Sequence, residues 1–303
     1  MADSLHRRLM YLCNLSYALA PGAVALPQRA GELGRRDAAI GLGPHGAVVA
    51  RNLTGSIGRD LALIGHVPEG IVIAVRGTMP PDPKANHKTM LAVARDWLND
   101  GNLFDTASND FVDRVHGGFA AAAVALCSGD DGIKAQLTAM LARDGMPQHI
   151  YVTGHSKGGP VANLIAWAIR ARWGISSVPV SVVTFAAART GNAAFRADFN
   201  ARGIDCTRYE AFFDQVPKLP LGTDRNKALR KLLDHLGIQL SGDGVGFVGI
   251  GAKVEENPLQ AIFKNAGGLV NIGNGKVDFI DNLAMIVKAH SIGPDTSYDG
   301  LVP

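Results

Sequence analysis

The sequence has 303 residues, of which 36 are glycine, and a formal net charge of +3. This length gives ample core for one large α/β domain or two small ones, and the composition excludes a disordered chain. The small net charge, without a long basic stripe, argues against a nucleic-acid-binding protein. No apolar run approaches the roughly 18 residues that a membrane-spanning helix needs.

The first twenty residues superficially resemble a signal peptide, because Arg7 and Arg8 precede a short apolar run. Polar residues interrupt that run, and leucines recur on one helical face at positions 5, 9, 12 and 15. We therefore expect a helix docked on the domain. The sequence predicts no compartment, and both the cytoplasm and a non-classical secretion route stay open.

The remaining elements are predicted from hydrophobic periodicity and from glycine and proline positions. Strands are expected at 47–50, 61–64, 71–75, 149–153, 180–186 and 208–213. Helices are expected at 89–98, 120–127, 132–143, 161–169, 192–200 and 227–236, with a loop at 79–88. Strands alternating with helices predict an α/β fold, namely a mostly parallel central sheet flanked by helices, in one domain over 1–303. In such sheets the chemistry collects at the carboxyl ends of the strands.

The central motif is Gly154-His155-Ser156-Lys157-Gly158, a Gly-x-Ser-x-Gly sequence. A β-branched and aromatic run precedes it, and an apolar run at helical spacing follows it. That context predicts a nucleophile elbow, a sharp strand-to-helix turn where side chains in place of Gly154 and Gly158 would collide with the backbone. Ser156 is therefore the candidate nucleophile.

A serine hydroxyl needs a base within hydrogen-bond reach, and in this fold the partners follow in the order Ser, Asp or Glu, His. Two histidines lie late enough, His235 and His290. His235 falls inside a predicted helix, where a solvated side chain explains it. His290 follows an apolar segment and opens a loop near the end of the chain, so it is the preferred base.

Asp214 is the preferred orienting carboxylate, because it stands at the end of the predicted strand 208–213. Asp198, Asp205 and Asp224 are more simply interpreted as helix or turn residues. The oxyanion of an acyl-transfer reaction needs two donors. The backbone N–H of Lys157 is one candidate, and Thr78, after the predicted strand 71–75, is the other.

The cysteines Cys13, Cys127 and Cys206 do not have metal-ligand spacing and imply no disulfide framework, although the sequence does not decide whether one pair is bridged. A serine mechanism requires no metal and no cofactor. The glycine-rich run 242–251 contains Gly-x-G-x-x-G spacing at Gly244, Gly246 and Gly249, but the βαβ context of a dinucleotide site is missing.

The chain resembles the class 3 lipases, the fungal-lipase-like branch of the α/β-hydrolases. The similar segments lie in family order at 74–78, 96–100, 115–119, 152–159, 184–185 with 191–192, 213–220, and His290 with Tyr298. The resemblance implies an α/β-hydrolase fold with Ser156 as nucleophile, Asp214 and His290 as its partners, and Thr78 and Lys157 as oxyanion donors. It also implies a lid in the segment 79–95.

Two features depart from the family pattern. The residue after the serine is usually leucine, whereas here it is Lys157, which either forms a structural ion pair or attracts an anionic headgroup. The stretch before the catalytic histidine is also unusually long, so that 221–288 forms either an insert packed on the domain or an apolar flap that meets lipid.

Together these features predict a serine carboxylic-ester hydrolase, a triacylglycerol lipase or carboxylesterase that acts through an acyl-enzyme on an ester or lipid substrate, either in solution or at a lipid–water interface. One alternative is a phospholipase A1 or lysophospholipase, for example a membrane-targeting toxin. A second is an inactive hydrolase-fold binding protein. Acyl-chain length, alcohol identity and oligomeric state are not predicted.

Overall fold

The computed structural model describes residues 4–18, 46–52, 59–78, 105–107, 111, 114–212, 214, 216–218, 246–257, 289–292 and 296–303. The predicted loop 79–88, the predicted helices 89–98 and 227–236 and the expected lid 79–95 lie outside these residues. Most of the segment 221–288 does so as well.

The described strands form a seven-stranded sheet in the order β1-β2-β3-β6-β7-β8-β9, and a separate antiparallel pair, β4-β5. The strands are β1 Ala47–Asn52, β2 Arg59–Val67, β3 Gly70–Val75, β4 Asp105–Ala107, β5 Arg114–His116, β6 Ile150–His155, β7 Val180–Phe185, β8 Asp205–Glu210 and β9 Ala252–Glu255. β2 pairs with β1 and with β3 in antiparallel orientation, whereas the pairs from β3 to β9 are parallel. The mostly parallel sheet is as predicted.

Helices cover both faces of this sheet. They are α1 Leu5–Ala18, α2 Gly117–Cys127, α3 Ile133–Asp144, α4 Gly158–Ala171, α5 Ala193–Ala201 and α6 Ser297–Leu301, with a 3₁₀ turn at Val216–Lys218. Ile71, Ile73 and Val75 of β3 face the apolar cluster that α2 to α5 share. Val72 and Ala74, which alternate with them, face the cluster formed with α1. The continuous apolar sequence of β3 follows from this burial on both sides.

The N-terminal helix α1 docks on the sheet, as the leucine spacing predicts. Leu9, Leu12 and Leu15 are buried, and the sequence neighbours Tyr11 and Cys13 are buried too. Arg7 also pairs with Asp299 of α6 at 2.7 Å. The helix is therefore an integral layer of the fold. It buries more of its surface than the leucine positions alone predict.

Two parts of the sheet differ from the sequence prediction. β8 begins at Asp205 and ends at Glu210, instead of running over 208–213. The chain turns after the strand, where the Asp214 N–H donates to the Ala211 carbonyl at 3.1 Å. β9 was not predicted, because this short strand, three of whose four residues are exposed, carries no apolar run.

The described end of the glycine-rich run packs on the domain. Phe247 and Ile250 are buried, and Val248 forms a bridge to Gly191 beside α5. The described residues 246–257 of the 221–288 segment are therefore packed on the domain, and β9 within them belongs to the central sheet. None of the described helices has the length and apolar character needed to cross a bilayer.

Candidate active site

Ser156 lies on the sharp turn between β6 and α4 and has a positive φ of 56°. A non-glycine residue adopts this left-handed conformation only where its surroundings impose it. Two backbone hydrogen bonds do so here. The Ser156 N–H donates to the Phe185 carbonyl at the end of β7 at 3.0 Å, and the Gly159 N–H donates to the Ser156 carbonyl at 3.1 Å. The turn has the geometry of a nucleophile elbow.

Both glycines of the motif are required by close backbone contacts. A Cβ on Gly154 would lie 2.1 Å from the Gly158 carbonyl oxygen, where the helix crosses the strand. A Cβ on Gly158 would lie 2.3 Å from the Val75 carbonyl oxygen at the end of β3. These distances are far below van der Waals contact, so the collision expected from the sequence is present at both positions.

Asp214 and His290, which are 76 positions apart in the chain, meet in the interior. Nδ1 of His290 lies 2.9 Å and 3.1 Å from the two Asp214 carboxylate oxygens, and the two residues are 0% and 3% exposed. The sequence predicted that Asp214 stands directly at the end of the strand. In the structure it lies four residues after Glu210, the last residue of β8. The carboxylate holds the proton on Nδ1, which leaves Nε2 as the ring nitrogen that can accept one.

Two further donors fix the Asp214 carboxylate. The Tyr298 hydroxyl donates to Oδ2 at 2.7 Å, and the Val216 N–H donates to Oδ1 at 3.0 Å. Burial and the neighbouring Asp214 charge raise the pKa of Tyr298 well above its ordinary value, so this hydroxyl stays a donor. A carboxylate held by several donors remains an acceptor for an imidazolium.

His290 lies beside the elbow. Its ring centroid is 4.7 Å from that of His155, the residue before Ser156, and its carbonyl accepts a hydrogen bond from Nε2 of His155 at 2.8 Å. The fold thus brings the predicted base, the predicted carboxylate and the predicted nucleophile to the same edge of the sheet, at the carboxyl ends of β6, β7 and β8.

The end of β3 also reaches the elbow. A Cβ on Gly77 would lie 2.6 Å from the His155 carbonyl oxygen and 2.9 Å from Cβ of Ser156. Thr78 follows directly and is half-buried. On the other side of the serine, Lys157 is the N-cap of α4, where helix N–H groups and the helix dipole favour negative charge. Both predicted oxyanion donors therefore flank Ser156 in the chain or in space.

The side chain of Lys157 forms an ion pair. Its Nζ lies 3.2 Å from Oδ1 of Asp60 on β2, and the two side chains are only 17% and 9% exposed. Of the two roles left open by the sequence, the structural pair is the one observed. The cation also acts on His116, whose pKa falls to about 4 mainly through burial and secondly through the Lys157 charge.

The rival site residues are placed elsewhere or not described. Asp198 accepts hydrogen bonds from Trp167 and Arg202 on the surface of α5, and Asp205 opens β8. His235 and Asp224 lie outside the described residues.

Sequence reasoning missed two polar residues at this site, Tyr17 and His155. The Tyr17 hydroxyl of α1 lies 2.6 Å from Nδ1 of His155. The available signal was a polar tyrosine that interrupts the apolar run of the N-terminal helix, but nothing in the sequence named its partner.

Among the residues that the structure describes, no group of His, Cys, Asp and Glu side chains is arranged to hold a metal ion. All three cysteines are free, and burial raises the pKa of each thiol to about 12. The thiols are therefore protonated and poor ligands or nucleophiles at neutral pH.

A sequence model of the family described as lipase (class 3) matches residues 72–223, half of the chain. Phospholipase A1-Igamma2 of Arabidopsis thaliana is 38% identical over 96 residues, which cover 29% of this chain and 18% of that protein. Phospholipase A1 EG1 of Oryza sativa subsp. indica is 32% identical over 114 residues, 35% of this chain and 26% of that protein. The matches thus span only a small part of these relatives.

The fold is also similar to that of a solved fungal enzyme. The triacylglyceride lipase of Rhizomucor miehei superposes with a TM-score of 0.54 at 18% sequence identity, and the match covers 82% of this chain and 78% of that chain. This likeness shows that the domain has the α/β-hydrolase fold.

Proposed function

The chain belongs to the class 3 lipase family, and on that premise we propose that it is a lipid ester hydrolase that cleaves carboxylic esters of acylglycerols with Ser156 as the nucleophile. The observation that carries the proposal is the buried Asp214–His290 pair, 2.9 Å apart, whose imidazole lies beside the elbow. Family membership supports the class of reaction, and the pair supports Asp214 and His290 as the groups that assist Ser156.

In the proposed first step, Nε2 of His290 takes the Ser156 proton while Oγ attacks the ester carbonyl carbon. Asp214 keeps the proton on Nδ1 and stabilises the imidazolium that forms. The carbonyl π electrons move to the oxygen, which becomes the tetrahedral oxyanion. Backbone N–H groups of Thr78 and Lys157 are the proposed donors to it, and removal of one such donor typically costs about 10²–10³ in kcat.

Collapse of this intermediate breaks the bond to the alcohol oxygen, which leaves with the proton from His290. The acyl group is then an ester of Ser156. Water attacks that ester by the same route: His290 takes a water proton, the second oxyanion forms and collapses, and Ser156 recovers its proton as the fatty acid leaves. No metal or cofactor enters either half of the cycle.

Triacylglycerol and phospholipid are the two candidate substrates. The similar fungal structure is a triacylglyceride lipase, which favours an acylglycerol as the substrate. The two plant relatives are phospholipases A1, so hydrolysis of the sn-1 ester of a glycerophospholipid is the second candidate. Both substrates present the same ester carbonyl to Ser156 and differ in the headgroup.

The test measures fatty acid release from a triolein emulsion and from phosphatidylcholine vesicles, alongside p-nitrophenyl butyrate in solution. We expect turnover of the soluble ester and of at least one lipid, and a loss of about 10⁴-fold or more on all of them in Ser156→Ala. Faster release from phosphatidylcholine than from triolein would replace the first substrate with the second. Turnover that survives in Ser156→Ala would remove the serine mechanism.

A further inference from the structure

Tyr17 connects the N-terminal helix to three separate parts of the candidate active site. Its hydroxyl lies 2.6 Å from Nδ1 of His155, and the Gly77 backbone hydrogen-bonds the same hydroxyl. Nε2 of His155, in turn, lies 2.8 Å from the His290 carbonyl. One hydroxyl therefore reaches the residue before Thr78, the residue before Ser156, and, through a ring, the backbone of the base.

The position of each proton along these hydrogen bonds follows from the last acceptor, the His290 carbonyl. A carbonyl only accepts, so Nε2 of His155 carries the proton that it donates to His290. Burial, and secondly the adjacent His290, lower the pKa of His155 well below its ordinary value, so the ring is neutral and Nδ1 is an acceptor. The Tyr17 hydroxyl must then donate to Nδ1.

Burial raises the pKa of Tyr17, so the hydroxyl keeps its proton and the direction of this arrangement is fixed. Space around it is also closed, because a Cβ on Gly77 would lie 2.2 Å from the hydroxyl oxygen. Helix α1, which carries Tyr17, lies outside the 72–223 region that matches the family.

We propose that Tyr17 is a positioning residue for hydrolysis, holding His155 and, through it, the backbone of His290 in register with the elbow and with the end of β3. The proposal rests on the proposed function of Ser156 and His290. A misplacement of about 1 Å between nucleophile and base costs on the order of 100-fold in rate, so a hydroxyl that fixes this register affects kcat without contacting the substrate.

The experiment compares Tyr17→Phe with Tyr209→Phe on p-nitrophenyl butyrate. Tyr209 is a matched control, because its hydroxyl also bonds a histidine, His6, at 2.7 Å and also joins α1 to the sheet, but at β8 and not at the strand that leads into Ser156. We expect Tyr17→Phe to lower kcat at least 10-fold with KM changed less than twofold. We expect Tyr209→Phe to lower the melting temperature by about as much as Tyr17→Phe does, but to keep kcat within twofold of the parent.

A second pair of variants tests the same register at His155. In His155→Gln the amide nitrogen takes the place of Nε2 and still donates to the His290 carbonyl, whereas in His155→Asn it takes the place of Nδ1 and does not. We expect kcat to be at least fivefold higher in the Gln variant than in the Asn variant. If Tyr17→Phe does not fold, this comparison of the two His155 variants tests the positioning role in its place.

Unchanged kcat in Tyr17→Phe, an equal loss in Tyr209→Phe, or equal activity of the two His155 variants would overturn the positioning role. None of these results touches the serine mechanism, which fails only if Ser156→Ala retains turnover. The two proposals are thus separated by different variants in one assay.

Discussion

The Tyr298 hydroxyl donates to Oδ2 of Asp214 at 2.7 Å, the same oxygen that lies 2.9 Å from Nδ1 of His290. It also accepts the Ala211 N–H at 3.1 Å. Tyr298 therefore holds the same carboxylate oxygen as the imidazole and anchors it to Ala211, the residue that follows β8. The C-terminal helix α6, which carries Tyr298, is thereby part of the candidate active site.

Replacing Tyr298 with Phe should remove this anchor and keep the ring in the core. Hydrogen bonds to charged groups contribute about 1.5–3 kcal/mol, so we expect that loss in the free energy of unfolding and a three- to tenfold lower kcat. Urea unfolding and initial rates measure the two effects. Tyr151→Phe, on the same sheet, is the control and should change kcat less than twofold. If Tyr298→Phe keeps full kcat while Asp214→Asn loses it, the anchor has no catalytic role.

The Lys157–Asp60 pair predicts a separation of stability from activity. Lys157→Leu keeps the backbone N–H, so we expect kcat within about threefold of the parent. Asp60 loses a cation at 3.2 Å in a largely buried site, which should cost about 1–3 kcal/mol of unfolding free energy, less than for a fully buried pair. Adding Asp60→Asn should restore at least half of that stability, as a double-mutant cycle measures. A hundredfold loss of kcat in the folded single variant would show that the cation takes part in the reaction.

His116 predicts how stability depends on acid. Its folded-state pKa is about 4, below the 6.5 of the unfolded chain, so the unfolded state binds the extra proton between these values. Stability is therefore fully present above pH 6.5 and falls as the pH decreases toward 4, by about 1.4 kcal/mol per pH unit from this residue. His155, whose pKa is also lowered, acts in the same direction.

Urea unfolding of the parent and of His116→Asn across pH 4–8 checks this expectation. Below pH 6.5 the unfolding free energy of the variant should fall less steeply with decreasing pH than that of the parent, by a slope that corresponds to about one proton. Above pH 7 the two slopes should be equal. Parallel curves throughout would mean that folding does not lower the pKa of His116.

The three free thiols predict insensitivity to redox conditions. Cys13, Cys127 and Cys206 form no disulfide, and burial raises the pKa of each to about 12. We expect dithiothreitol to change the melting temperature by less than 1 °C, within the error of a scan, and N-ethylmaleimide to leave the native enzyme active over an hour. Rapid stoichiometric labelling of native protein would contradict the burial of these side chains.

The features that the sequence predicts well are those encoded by neighbouring residues. Ser156 and its glycines are encoded by five consecutive residues between a strand pattern and a helix pattern, and β6, β7 and α4 lie where those patterns indicate. Chain order and loop position also selected His290 and Asp214 from their rivals. Such inferences need no knowledge of which distant residues meet.

Contacts between distant residues were beyond the sequence. Tyr17 and His155 are 138 positions apart, and no periodicity predicts their hydrogen bond. The choice between an ion pair and a headgroup site for Lys157 stayed open for the same reason, because Asp60 lies on another strand. The strand β9 escaped prediction because its pairing with β8, and not its hydrophobicity, defines it.

The most direct test of the account is the site of covalent capture. The protein is treated with a fluorophosphonate, digested and mapped by mass spectrometry, with Ser156→Ala and His290→Ala treated alongside. We predict one label per chain on Ser156, none in Ser156→Ala, and labelling at least 100-fold slower in His290→Ala, because the base that activates the hydroxyl is gone. Label on a different residue, or equal rates with and without the His290 imidazole, would contradict the proposed nucleophile and its base.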